Sequence, residues 1–262
     1  TAGKKEIQAW EWLMEKHENY CKENKNKIKL LVSIRSIEEV KVVNGLNIDI
    51  IDLKEPKNGP IGMLDFIHIK NIVLALRNNK FCGKISTTFE LNDGDLSRAD
   101  IAQIEGLGSV GLDYIKVGVS ADGNTWANLT KFTESLSKIK NRLLDNKLIL
   151  VLMITDKHSF KFVKNISPSM VRKFSGIMID TLDKENGSVF DIVNFTELNI
   201  IKKFALENNV DFGIAGSLNV SHTSLINQLQ PSWAGYRGGV CLKKRSGPIS
   251  RVRLENLIDS FC

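Results

Sequence analysis

The chain has 262 residues, 42% of them hydrophobic and 25% charged, enough for one large α/β domain or two small ones. Its longest apolar run, Leu148 to Ile154, is far short of the ~20 residues a membrane helix needs, and its four scattered cysteines (Cys21, Cys82, Cys241, Cys262) have no zinc or disulfide spacing. The net charge of +6 admits nucleic acid as a partner, but the lysines are spread along the chain and only 7% of residues are aromatic, so small phosphorylated substrates explain the basic excess equally well.

Residues 1–26 read as a helical extension, with Trp10, Leu13, Met14 and His17 near helical spacing among charges. The charged start lacks an apolar core segment, so no signal peptide is read and a cytoplasmic location is expected. From Lys27 on, a unit repeats: a short apolar run, a turn, then an amphipathic stretch. The expected strands are Ile28–Ser33, Ile48–Leu53, Phe81–Thr87, Tyr114–Val117, Leu148–Ile154, Gly176–Ile179, Phe212–Ala215 and Trp233–Arg237. Helices are expected near Ile37–Asn44, Asp65–Asn78, Leu96–Gly108, Trp126–Asn146, Ser159–Phe174, Asp191–Asn208, His222–Leu229 and Arg251–Phe261. Eight strands alternating with eight helices predict an α/β chain folded as a (β/α)8 TIM barrel over residues 27–262, preceded by the extra N-terminal helix; a doubly wound open sheet is the alternative.

A barrel places functional groups at strand C-terminal ends. Strand one ends in Ser33, which faces the pocket or caps the next helix. Strand two carries Asp52 and Lys54, two residues apart and so on one face. A lysine buried there has its pKa pushed down, which turns it into a nucleophile toward carbonyl compounds; a structural ion pair at the rim is the competing reading. Strand three adds Thr87 and Thr88 as weak polar candidates. The run Gly106–Gly111, GLGSVG, matches a dinucleotide fingerprint, but it follows a helix and precedes a strand, so its glycines read as turn residues. In strand four, Lys116 shares a side with Tyr114 and Gly118, which suggests room for a ligand. Strand six brings Asp180, with Asp183 and Lys184 just after it. Strands seven and eight end in the glycine-rich turns Gly216-Ser217 and Gly238-Gly239, the usual place for a phosphate in this fold. Arg237 either faces that phosphate or pairs at the rim.

The barrel would thus gather Asp52, Lys54, Lys116, Asp180 and Lys184 around one opening beside an anion cradle. The four histidines (His17, His68, His158, His222) fall on helices or helix starts, and no metal cluster or nucleophilic triad is visible. Lysines, carboxylates and a phosphate grip suit phosphorylated aldehydes or ketones: one lysine forms an iminium, and a second lysine or a carboxylate moves protons.

The stretches DIIDLKEPKNGPIG, DYIKVG, MIDTLDKENGSVFD, IAGSL and GYRGGVC together resemble the (5-formylfuran-3-yl)methyl phosphate synthase family, which makes the furan precursor of methanofuran and of related C1-carrier cofactors. The resemblance implies a barrel enzyme, a lyase condensing two molecules of glyceraldehyde 3-phosphate with loss of water and one phosphate. It implies Lys54 as the Schiff-base lysine, Lys116 as the proton-transfer lysine, and Asp52, Asp180 and Lys184 as their partners. Phosphate contacts are implied for Gly216, Ser217, Gly238 and Gly239. Departures from the family's pattern lie after strand three (FELNDGDLSRAD), after Gly62 (MLDFIHIK) and in the N-terminal extension. The expected partner is a small sugar phosphate, with no nucleic acid, no membrane, no cofactor and no metal, in a homo-oligomer. Two rival readings are another Schiff-base barrel aldolase or lyase on a different sugar phosphate, and a non-catalytic phosphate- or nucleic-acid-binding protein.

Overall fold

A computed structural model describes residues 27–59, 61–90, 97–122, 124–139, 147–184 and 186–261. The expected N-terminal helix, with Trp10, Leu13, Met14 and His17, lies outside the described residues. Eight parallel strands close into a barrel in chain order: β1 Lys29–Ile34, β2 Ile50–Leu53, β3 Lys84–Glu90, β4 Tyr114–Ser120, β5 Lys147–Ile154, β6 Gly176–Thr181, β7 Asp211–Ile214 and β8 Trp233–Tyr236. Around them run α1 Ile37–Val43, α2 Phe66–Asn78, α3 Arg98–Gly108, α4 Thr125–Ile139, α5 Phe160–Val163, α6 Pro168–Val171, α7 Val189–Ile192, α8 Phe195–Glu207, α9 Thr223–Leu229 and α10 Arg251–Asp259. This is the (β/α)8 barrel expected from the alternation of elements. No helix among the described residues is long and apolar enough to cross a membrane.

Period-two alternation divides each strand between two cores. On β5, Leu150, Leu152 and Ile154 join the shell under the helices, while Ile149, Val151 and Met153 fill the barrel interior. A strand buried on both faces must read as a continuous apolar run, and this one does. The same alternation turns Asp52 inward beside outward Ile51 and Leu53, and Lys116 inward beside outward Ile115 and Val117. Helix starts are fixed by side-chain caps: Asp65 accepts from the His68 N–H, Asn194 from Glu197 and Ser250 from Arg253, and Ser97 forms a reciprocal cap with Asp100.

Several boundaries differ from expectation. β3 starts at Lys84 rather than Phe81, because residues before it form a turn in which the Arg77 guanidinium donates to the carbonyls of Phe81 and Gly83 (2.8 and 2.9 Å). The helix expected over Ser159–Phe174 is two short pieces, because Pro168 forces Ser167 into extended backbone. The helix expected over Asp191–Asn208 begins earlier and breaks at Val193, after which Asn194 caps a new helix. The GLGSVG run ends α3 and turns into β4, with Gly111 at φ +81°, a turn role as expected.

Two interior glycines leave room for one large neighbour, Trp233. A Cβ on Gly213 would stand 1.8 Å from the Trp233 Nε1, and one on Gly176 would stand 2.3 Å from its six-membered ring. Trp233 therefore fills the lower barrel only because both strands facing it carry glycine there. Gly213→Ala is expected to lower the unfolding free energy by about 1–3 kcal/mol in chemical denaturation, and adding Trp233→Leu should recover part of that loss; an unchanged midpoint for Gly213→Ala would contradict this packing.

Candidate active site

Strand register assembles the first half of the site. Ser33 of β1, Asp52 of β2 and Ser86 of β3 are direct neighbours across the sheet. Asp52 is fully buried, and a bare carboxylate there would be costly. Its Oδ2 accepts from the Ser33 hydroxyl (3.0 Å) and pairs with the Lys116 ammonium (2.7 Å), while its Oδ1 accepts from the Ser86 hydroxyl (2.7 Å). Burial pushes the Asp52 carboxyl up, but the charges of Lys116 and Lys54 and these hydrogen bonds outweigh it and hold the group below the usual carboxylate range.

The second half comes from β6 and the turn after it. Asp180 is buried at the end of the strand; its Oδ1 accepts from the Thr181 N–H (2.8 Å) and from the Lys184 ammonium. Lys184 also donates to the Thr181 hydroxyl (3.2 Å) and is half-buried, whereas Asp183 points to solvent. Burial raises the Asp180 carboxyl, and Lys184 and Lys54 more than reverse this; burial lowers Lys184, partly offset by Asp180.

Lys54 stands between these two pairs. It is buried, its backbone N–H is held by the Ile34 carbonyl (3.1 Å), and its amine feels Lys116, Asp52, Asp180 and Lys184. Burial is the largest influence on it and the repulsion from Lys116 the next; together they bring its pKa down to about 7. All five side chains expected at the barrel mouth thus meet there. Such a lysine is partly neutral at neutral pH and flanked by acid–ammonium pairs, an arrangement able to add to a carbonyl and shuttle protons.

The glycine-rich turns flank the same mouth. Gly216 (φ +107°) and Ser217 (φ +48°) take left-handed backbone at the end of β7, with the Ser217 hydroxyl tied to the Lys184 carbonyl (3.1 Å). Gly238 and Gly239 open a 3-10 turn after β8. At Gly239 a Cβ would meet the Leu218 carbonyl at 2.4 Å, so the two turns press together and demand glycine.

Two features differ from the reading of the strand ends, at Gly118 and Thr87, and of the two roles left open for Arg237 the structure shows one. The space beside Gly118 is filled by Ile61, whose Cδ1 would stand 1.7 Å from an added Cβ. Thr87 lies on the outward row and donates to the Leu53 carbonyl (3.0 Å). Arg237 pairs at the rim: its Nη1 and Nη2 reach the two Glu39 carboxylate oxygens (2.6 and 2.9 Å), and both residues are buried. Ser86 and Arg245 also belong to the mouth. Ser86 could have been found from the period-two row of β3; no local signal marks Arg245.

Comparison with known proteins gives the chain a family by sequence. A family model described as 4-HFC-P synthase matches residues 30–258. The chain is 30% identical over 240 residues to the (5-formylfuran-3-yl)methyl phosphate synthase of Methanosarcina mazei, covering 88% of this chain and 98% of that one. It is 27% identical over 240 residues to the enzyme of the same name from Archaeoglobus fulgidus, covering 89% and 99%. Among solved structures, phosphoribosylanthranilate isomerase from Thermotoga maritima shares the barrel alone, with TM-score 0.59 and 11% identity over 89% of this chain and 97% of that one. The match spans every strand from β1 to β8 and both acid–lysine pairs, and the chain belongs to the 4-HFC-P synthase family.

Proposed function

We propose that this enzyme condenses two molecules of glyceraldehyde 3-phosphate, through a Schiff base on Lys54, into (5-formylfuran-3-yl)methyl phosphate, the product named in its relatives. The observation that carries this reading is the position of Lys54, buried between the Asp52–Lys116 and Asp180–Lys184 pairs with its pKa near 7. The neutral amine adds to the aldehyde carbon of the first triose; water leaves and an iminium forms, which acidifies the neighbouring C–H. Loss of that proton gives an enamine, whose carbon attacks the second aldehyde. Each acid–lysine pair holds one proton donor and one acceptor side by side, so protons can be taken from carbon and returned to departing oxygens. Later losses of water and one phosphate close the ring, and hydrolysis or exchange of the imine frees Lys54. The turns Gly216-Ser217 and Gly238-Gly239 hold a substrate phosphate through backbone N–H groups.

Two experiments test this. Purified protein given glyceraldehyde 3-phosphate should develop the absorbance of a furan aldehyde and release one phosphate per furan, and borohydride should trap substrate on Lys54. Lys54→Ala should abolish trapping and cut turnover on the order of 10³-fold or more. Reversible aldol cleavage without a furan, or turnover retained in Lys54→Ala, contradicts the proposal. Only the neutral amine adds to a carbonyl, so trapping rises as pH climbs through the Lys54 pKa of about 7. Lys184→Met removes a cation that pushes Lys54 down and releases Asp180, which pulls it up. Its trapping curve should therefore move to higher pH; a curve that stays or moves lower counts against the pairing.

A further inference from the structure

The loop joining β8 to α10 is held with unusual firmness. The Arg237 side chain, besides gripping Glu39, donates from Nε to the Arg245 carbonyl (2.9 Å), from Nη2 to the Gly247 carbonyl (2.8 Å) and from Nη1 to the Ser33 carbonyl (3.0 Å). Cys241 bridges Ile249 across the loop, and the Leu242 N–H reaches the Pro248 carbonyl (3.1 Å). The residue that this bracing positions is Arg245. Lys243 and Lys244 beside it point to solvent, but Arg245 is half-buried and turned to the mouth.

There its guanidinium has five donors and, among the described residues, uses one, from Nη2 to the Gly59 carbonyl (3.1 Å). No carboxylate among the described residues lies within ion-pair distance of it. Asp180, the acid whose charge it feels, is taken by Lys184. Its Cβ stands 3.6 Å from the place a Cβ on Gly238 would take, against the glycine turn after β8. Among the described residues, the cations Lys116, Lys184 and Arg245 meet two carboxylates in this mouth, Asp52 and Asp180. A partly desolvated guanidinium with donors to spare, in a site with surplus positive charge, fits an incoming dianion better than any group of the chain itself.

We infer that Arg245 is a substrate-binding residue that closes over the phosphate seated on Gly238 and Gly239, and so makes the enzyme select phosphorylated over unphosphorylated aldehydes. The inference rests on the reading of this mouth as a sugar-phosphate site. The forked guanidinium spans two phosphate oxygens, and its bond to Gly59 ties the loop after β8 to the loop after β2, which carries Ile61 into the barrel.

The test compares wild type, Arg245→Gln and Arg245→Lys. Calorimetry with inorganic phosphate reads the anion site without any chemistry. Borohydride trapping is then titrated with glyceraldehyde 3-phosphate and with unphosphorylated glyceraldehyde. Arg245→Gln should weaken phosphate binding and raise the half-saturating triose phosphate concentration about 10- to 100-fold. Half-saturation by glyceraldehyde should stay within about twofold, which also reports an intact Lys54 site, and Arg245→Lys should fall between. Equal phosphate affinity in Arg245→Gln and wild type, or equal weakening toward both aldehydes in Arg245→Gln and Arg245→Lys, would overturn the assignment. Failure of the wild type to trap either aldehyde sinks the Schiff-base reading instead, while the calorimetry still decides the role of Arg245.

Discussion

Everything at the barrel mouth depends on how one buried carboxylate is neutralised. Asp52 cannot stay ionised in the interior without donors, and β1, β3 and β4 each supply one through Ser33, Ser86 and Lys116. That cluster pins four adjacent strands at one level. Lys54 lies just past the end of β2, where the upward pull of Asp52 on its pKa is outweighed by burial and by the repulsion from Lys116. The desolvated Lys54 then meets Lys116 and Lys184 as repelling neighbours, and its proton becomes easy to lose. Acid and base are thus poised by the same ion pairs that let charges exist inside the barrel.

The packing around this level serves the same end. Trp233 closes the barrel below, over Gly176 and Gly213, and Ile61 folds in from the loop after β2, over Gly118. With no Cβ at these three positions, two large apolar groups enter the interior and limit water near the lysines, which sustains the desolvation that Lys54 requires. The rim is braced separately. The Arg237–Glu39 pair is buried, and removing one partner of such a pair typically costs ~3–5 kcal/mol because the other charge is stranded. This clip joins α1 to the loop after β8, and Arg245 is presented from it.

Much of this was legible in the residue order, for a physical reason. The barrel announces itself through repeated apolar runs, and a period of two puts Asp52 with Lys54, and Lys116 with Tyr114, on one face whatever the rest of the chain does. Asp180 and Lys184 follow from their place at the end of β6. The hidden features are those decided by distant partners. Gly118 signalled free space, but which side chain fills it depends on how the loop carrying Ile61 folds back. Arg237 finds Glu39 198 residues away, so its choice between phosphate and rim could not be read locally. The late start of β3 reflects Arg77 holding the turn before it, a contact that propensity does not encode. Arg245 sits among other cations in KKRSG, and only the fold separates it from its exposed neighbours.

Burial between two acid–lysine pairs brings the Lys54 pKa down to about 7, so that much of this amine is neutral under ordinary conditions. The most direct measurement is a heteronuclear NMR titration of protein with isotope-labelled lysine side chains, with the Lys54 resonance assigned by its loss in Lys54→Arg. The expected midpoint is near 7. A midpoint near the usual lysine value of about 10.4 would contradict it.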